Sequence, residues 1–195
     1  VLLVVDVQRD FAAGGALAVP DGDAVVPAIN ALAADYANIV LTQDWHTPDH
    51  ASFASRHPGR QPFETVAMSY GPQVLWPDHC VMGTPGAELH PGLDLPRAQL
   101  VLRKGYHRWV DSYSAFLEAD RTTPTGLEAY LRARGLGEIH LCGLATDFCV
   151  AWSALDARRL GFEVTVIDRA CRAIDLDGSL DRAWRDMAAA GVRRG

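Results

Sequence analysis

Short runs rich in Val, Ile and Leu recur along the chain, at residues 1–7, 38–43, 99–103, 138–144 and 163–167. Their apolar residues are nearly continuous rather than alternating, as in strands buried on both faces. Helical patterns lie between several of them. Over 23–36, Val26, Ile29, Leu32 and Ala33 fall at helical spacing. Over 123–134, Thr123 suits the cap, Pro124 the first helical position and Gly135 the stop. Patterns over 149–160 and 179–190 end at Gly161 and Gly191. This alternation predicts a three-layer α/β/α fold, Rossmann-like, with a mainly parallel sheet of about six strands. The closing GVRR begins a last edge strand.

A chain of 195 residues fits one domain over 1–195. Residues 44–98 break the rhythm: they hold many Pro, His and Trp but few strand or helix signals. A loop that long reads as a functional insertion that covers a site. The net charge of −6, with no Lys/Arg cluster, argues against nucleic acid and anionic membrane as partners. No apolar run approaches the roughly 18 residues of a membrane span. The opening VLLVVDV is too short for a signal peptide and lacks a basic leader. The absent Met suggests that a few leading residues are missing. The four cysteines, Cys80, Cys142, Cys149 and Cys171, form no C-x-x-C pair. That argues against a four-cysteine zinc site or a thioredoxin-type motif, and the expectation is a reduced, cytoplasmic protein.

Parallel α/β sheets bind ligands beyond the C-terminal ends of their strands. The polar residues that follow the apolar runs are Asp6, Asp44, Lys104, Cys149 and Asp168. Cys142 lies inside a strand and reads as a small buried apolar residue. Cys149 follows the Gly-containing turn of CGLATDFCV and opens a helix, where the helix N-terminus lowers a thiol pKa. The strand–turn–helix arrangement resembles a nucleophile elbow. Backbone N–H groups of the ATDFC turn could meet an oxyanion. The competing reading is a second buried structural cysteine. Asp147 either opposes thiolate formation or caps the helix. No histidine at a strand end pairs with the thiol. Asp6 can take its proton, and Lys104 can hold thiolate and acid by charge attraction.

A second constellation spans QDWH at 43–46 and WPDHC at 76–80. Asp44 and His46 point the same way in an extended segment, and His79 could close the site from the insertion. One carboxylate and two imidazoles suit zinc, iron or manganese, with positions left open. His50 is a further possible ligand but reads first as a solvated loop histidine. Cys80 reads as core or loop packing. His57, His90, His107 and His140 have no partner that the sequence names.

With these residues in hand, the chain resembles the nicotinamidase (pyrazinamidase) branch of the isochorismatase-like cysteine hydrolases over nearly its whole length. VVDVQRDFAAGGALAV resembles the family's opening, and TQDWHTPDHASF and LWPDHCVMGTPGAELHP its metal segments. KGYHRWVDSYSAF resembles its lysine segment and CGLATDFCV its nucleophile segment. The resemblance implies a catalytic triad of Asp6, Lys104 and Cys149. It implies one divalent ion on Asp44, His46 and His79, zinc ahead of iron or manganese, and no organic cofactor. It implies oxyanion donors at the backbone of Ala145 and Cys149, with a cis peptide between Leu144 and Ala145. The implied pocket walls are Phe11, Trp76, Tyr113 and Leu144, and Phe148 carries no assigned role. The implied activity converts nicotinamide to nicotinate and ammonia through a thioester, accepts pyrazinamide, and serves NAD salvage. The superfamily's habit of assembly leaves a homo-oligomer open. A carbamoyl or ureido amidohydrolase would need the triad without the metal. A non-enzymatic metal-binding or thiol-sensing domain would tolerate Asp6→Asn.

Overall fold

The computed structural model of the protein describes residues 1–195. In chain order the elements are β1 (Leu2–Val5), α1 (Val25–Ala33), β2 (Ile39–Asp44), β3 (Thr65–Met68), β4 (Gly71–Val74) and β5 (Leu100–Lys104). They continue with α2 (Leu127–Ala133), β6 (Glu138–Leu144), α3 (Ala151–Arg159), β7 (Glu163–Arg172), α4 (Ser179–Ala189) and β8 (Arg193–Arg194). Six strands form one sheet in the order β5-β2-β1-β6-β7-β8, every pair parallel. This is the expected α/β architecture, and GVRR does supply the edge strand.

Chain direction and handedness place the layers. The chain moves one way from β1 through β2 to β5, then crosses back to β6 and moves the other way. Right-handed crossovers in opposite directions put α1 on one face and α3 and α4 on the other. The direction reverses beside β1, so the crevice opens past the carboxyl ends of β1 and β6. The core is the pair of buried central strands: Leu2, Leu3, Val4 and Val5 of β1 and Ile139, Leu141 and Cys142 of β6 all lie within its main cluster. Truncating Leu3 or Ile139 to Ala is expected to cost about 2–5 kcal/mol through lost burial and the cavity left behind.

Several expectations are corrected. Residues 123–126 are not helical, and α2 starts only at Leu127 after Gly126 in the left-handed region. Thr123 donates its hydroxyl to Asp120 at 2.6 Å, and Pro124 pairs with Leu117 in an isolated bridge. β5 is not buried on both faces, because it is the sheet edge and Val101 is 46% exposed. β7 runs five residues beyond Ile167, pairing Cys171 and Arg172 with Gly143 and Leu144. Asp168 therefore lies within a strand, bonded to Arg194 at 2.7 Å, and does not join the other strand-end residues. Residues 44–98 carry an antiparallel hairpin, β3–β4, in addition to 3₁₀ turns.

Candidate active site

Three strand ends and one helix start meet at the crevice. Asp6 follows β1, Lys104 ends β5, and Asp44 ends β2 directly opposite Lys104 in the ladder. Lys104 is 1% exposed, and its Nζ lies 2.8 Å from Asp6 Oδ2, 2.5 Å from Asp44 Oδ1 and 3.5 Å from Cys149 Sγ. A fourth contact, to Ser112 O at 2.7 Å, completes its surroundings. One ammonium thus joins the two constellations that the sequence presented separately. Burial opposes its charge, but Asp44 and Asp6 outweigh burial and hold its pKa well above the ordinary lysine value.

The two acids diverge. Burial, partly offset by Lys104 and reinforced by Asp44, raises Asp6 to about 6. Burial also pushes Asp44 up, yet Lys104 and His46 overcome it and hold the carboxyl well below the usual range. Thr42 orients Asp6: its hydroxyl donates to Oδ1 at 2.6 Å while Asp6 N–H donates back at 3.1 Å. Gln8 fixes Asp44, accepting its N–H at 2.8 Å and donating to its carbonyl at 2.9 Å. Neither Thr42 nor Gln8 was singled out in the sequence. Each is a polar residue in or next to an apolar strand, which is the signal that could have found them.

Cys149 sits inside a π-helical turn, Thr146–Val150, that leads into α3. The Val150 N–H bonds the Ala145 carbonyl at 3.1 Å, an i to i−5 bond of the kind found at functional sites. The Leu144–Ala145 peptide that feeds this turn is cis. Just before it, Gly143 lies at φ +116, where a Cβ would fall 2.1 Å from the Val5 carbonyl oxygen. Only glycine lets β6 pass β1 that closely. The helix start does not lower the thiol pKa as expected. Burial, helped by Asp6 and Asp44, outweighs Lys104 and raises it well above the ordinary value. Asp147 neither faces the thiol nor caps the helix. Its carboxylate accepts the N–H groups of Ile174 and Asp175 at 3.1 and 2.8 Å, and the Ser179 hydroxyl.

His46 and His79 join Asp44. One ligand atom from each lies within 4.8 Å of the others, and all three residues are buried. His46 Nδ1 donates to the Gly105 carbonyl and His79 Nδ1 to the Pro77 carbonyl, both at 2.8 Å. Carbonyls only accept, so Nδ1 of each ring is the donor and Nε2 is the nitrogen that would face an ion, as outer bonds arrange for metal-binding histidines. Burial opposes charge on His46, but Asp44, 3.7 Å from its Nε2, outweighs burial and raises its pKa. Burial, then His46, lowers His79 to about 4, which keeps it neutral. The donor set therefore fits a divalent ion with open positions. His50 is not a solvated loop histidine. It is fully buried, its ring centroid 4.4 Å from that of His46, and bonded to Ser52 Oγ at 2.7 Å. The irregular backbone around 46–54 encloses it.

The pocket above these groups is a narrow slot. Phe11, Trp76, Tyr113 and Phe148 line it, with Leu17, Asp111, Ala145 and Ile174. Phe148, left without a role by the sequence, packs edge-on against Trp76 at 4.9 Å. Leu144 does not line it, because its side chain lies in the core at 1% exposure. The remaining histidines find structural partners: His57 bonds Ala51 O, His90 bonds Asp23, His107 bonds Glu118, and His140 bonds Tyr36. Cys80 is buried, and its N–H donates to Asp10 at 2.7 Å.

The sequence model described as the isochorismatase domain matches residues 1–193. The chain belongs to the isochorismatase family. Within it, the protein is 58% identical over 193 residues to a nicotinamidase of Acinetobacter baylyi, covering 99% of this chain and 90% of that one. The structure of PnC1 from L. infantum in complex with nicotinate superposes with a TM-score of 0.87 at 38% identity, covering 100% of this chain and 90% of that one. The pyrazinamidase of Pyrococcus horikoshii in complex with zinc gives a TM-score of 0.81 at 35% identity, covering 100% and 97%. The resemblance read from the motifs, to the nicotinamidase branch, therefore stands, and the chain is a hydrolase of that branch.

Proposed function

We propose that the protein hydrolyses nicotinamide to nicotinate and ammonia through a thioester on Cys149, and that it also accepts pyrazinamide. The observation that carries this reading is the Lys104 ammonium set among Asp6, Asp44 and Cys149 at the floor of an aromatic slot. The chain is read as one hydrolase domain over 1–195, with 44–98 as its metal- and substrate-site insertion.

Asp6 accepts the thiol proton as the sulfur attacks the amide carbon. A carboxylate with a pKa near 6 is ionised at neutral pH yet basic enough for this transfer. The Lys104 ammonium holds the developing thiolate. Backbone N–H groups of Ala145 and Cys149 meet the oxyanion. Asp6 then hands its proton to the departing ammonia, leaving the thioester, and deprotonates the water that hydrolyses it. Phe11, Trp76, Tyr113 and Phe148 hold the flat ring, which keeps the carboxamide near the sulfur. A divalent ion on Asp44, His46 and His79 would supply a Lewis-acid site for the ring nitrogen and so orient the substrate. Zinc fits this set, and zinc is what the Pyrococcus pyrazinamidase contains.

Intact-mass analysis of metal-loaded protein quenched during turnover tests the covalent step. A nicotinoyl adduct on Cys149, absent from Cys149→Ala, is expected. Ammonia release without any adduct, or from Cys149→Ala at the wild-type rate, contradicts it. A metal-free protein that ignores nicotinamide but hydrolyses carbamoyl or ureido amides would move the assignment there.

A further inference from the structure

Gln73 lies on β4, in the hairpin of the insertion, and does not line the slot. Its side chain is nevertheless buried and fully engaged. Nε2 lies 2.7 Å from Asp111 Oδ2, 2.8 Å from the Val74 carbonyl and 2.9 Å from Tyr113 Oη, so its two hydrogens are shared among three acceptors. Oε1 accepts the Tyr70 hydroxyl at 3.1 Å. Trp76 Nε1 donates to the same Tyr113 oxygen at 3.0 Å. The Gln73 amide and the Trp76 indole N–H thus converge on one phenol oxygen, which can accept from both. Tyr113, Trp76 and Asp111 all face the slot. The indole and phenol rings stand edge to face at 6.3 Å.

We propose that Gln73 is a positioning residue for substrate: by holding the Tyr113 hydroxyl beside the Trp76 indole, it fixes two aromatic walls as one surface. The proposal rests on the reading of the slot as the site of an aromatic amide. No smaller or apolar residue does the same work. Leucine would free the Tyr113 oxygen and strip Asp111 of its side-chain donor. Glutamate would set a second carboxylate against Asp111. The hairpin is thereby tied to ring recognition although it lies outside the main sheet.

The test is a double-mutant cycle on the metal-loaded enzyme, using Gln73→Leu and Tyr113→Phe, with kcat and KM for nicotinamide and a thermal melt for each. Gln73→Leu is expected to raise KM about tenfold with kcat within about twofold, the size of one or two lost hydrogen bonds. In the Tyr113→Phe background the same substitution is expected to change KM less than about threefold, because the hydroxyl through which it acts is gone. An equal effect in both backgrounds, or an unchanged KM in folded Gln73→Leu, overturns the proposal. Should Gln73→Leu not fold, Tyr70→Phe replaces it, removing only the hydroxyl that anchors Oε1. A KM increase of about twofold that vanishes with Tyr113→Phe is expected there, and no increase overturns it. Wild-type ammonia release separates the two levels of inference. If wild type is inactive on nicotinamide, the substrate reading fails, and the indole N–H resonance of Trp76 decides the positioning claim. A shift in Gln73→Leu supports it, and an unmoved resonance overturns it.

Discussion

The carboxyl edge of the sheet and the 44–98 segment reach the same slot by different means. The edge delivers Asp6, Asp44 and Lys104 from adjacent parallel strands, whose ladder sets Asp44 opposite Lys104. The segment delivers His46, Trp76 and His79 from irregular backbone, pinned by single contacts such as the carbonyls of Gly105 and Pro77. Charges that must share one proton need the rigid frame. Groups that recognise a ring and hold an ion can sit on loops, provided each is braced. The difference predicts separable failures: lost chemistry with binding kept when the edge is damaged, and lost binding of ion and ring, with turnover failing in consequence, when the segment is damaged.

The largest effect is expected at the edge. Cys149→Ala should lower kcat by at least about 10⁴-fold, in line with the loss of a covalent nucleophile, while nicotinate affinity stays close to wild type. Calorimetric titration beside an ammonia assay checks both halves. Lys104→Met should follow. Removing the cation leaves Asp6 and Asp44 buried without their partner, at an expected cost of about 3–5 kcal/mol in a denaturant melt. An unaltered melting midpoint would break the idea that Lys104 joins the two constellations.

On the segment side the expected effects are smaller and fall on the ion. Gly105 lies at φ +69, and a Cβ there would come 2.5 Å from His46 Cε1. Gly105→Ala should therefore cost about tenfold to a hundredfold in metal affinity, as displaced outer partners do, with the sheet intact. Metal-buffered titration reads it. If zinc affinity is unchanged, His46 is not held as described.

The smallest effect is the pH dependence. Asp6 must be ionised to accept the thiol proton, so kcat/KM should fall as pH drops through about 6, the value to which burial raises the carboxyl. The sign for stability is opposite. The folded pKa lies above the unfolded one, so the stability from this group is full below about 4 and lost as pH rises through about 6. A pH–rate profile whose acid limb is unmoved by Thr42→Val would remove Thr42 from the orientation of Asp6.

The two regions also differed in how far the sequence revealed them. The strands were readable because continuous Val, Ile and Leu runs have few other uses, and the residues ending them lie where parallel topology puts ligands. The start of α2 at Leu127 is not legible, because Thr123 and Pro124 carry the same local signals in a turn as in a cap. The place of Asp168 is not legible, because β7 continues through the stretch DRACR, held by pairing to β6 that no local pattern announces. The raised Cys149 pKa is not legible, because helix-end electrostatics are visible in sequence and burial beside two acids is not. In the segment, the ligand types were legible at Asp44, His46 and His79. The enclosure of His50, the ring contact of Phe148 and the reach of Gln73 were not, since each depends on how an irregular chain folds over the slot.

The measurement that bears most directly on the division between edge and segment is ammonia release from nicotinamide by metal-loaded protein, run beside Cys149→Ala and a chelator-stripped sample. The account predicts turnover in the loaded wild type, its disappearance in both controls, and its return in the stripped sample when zinc is restored. Turnover that survives stripping but not Cys149→Ala would contradict the role given to Asp44, His46 and His79, and no turnover in the loaded wild type would contradict the substrate.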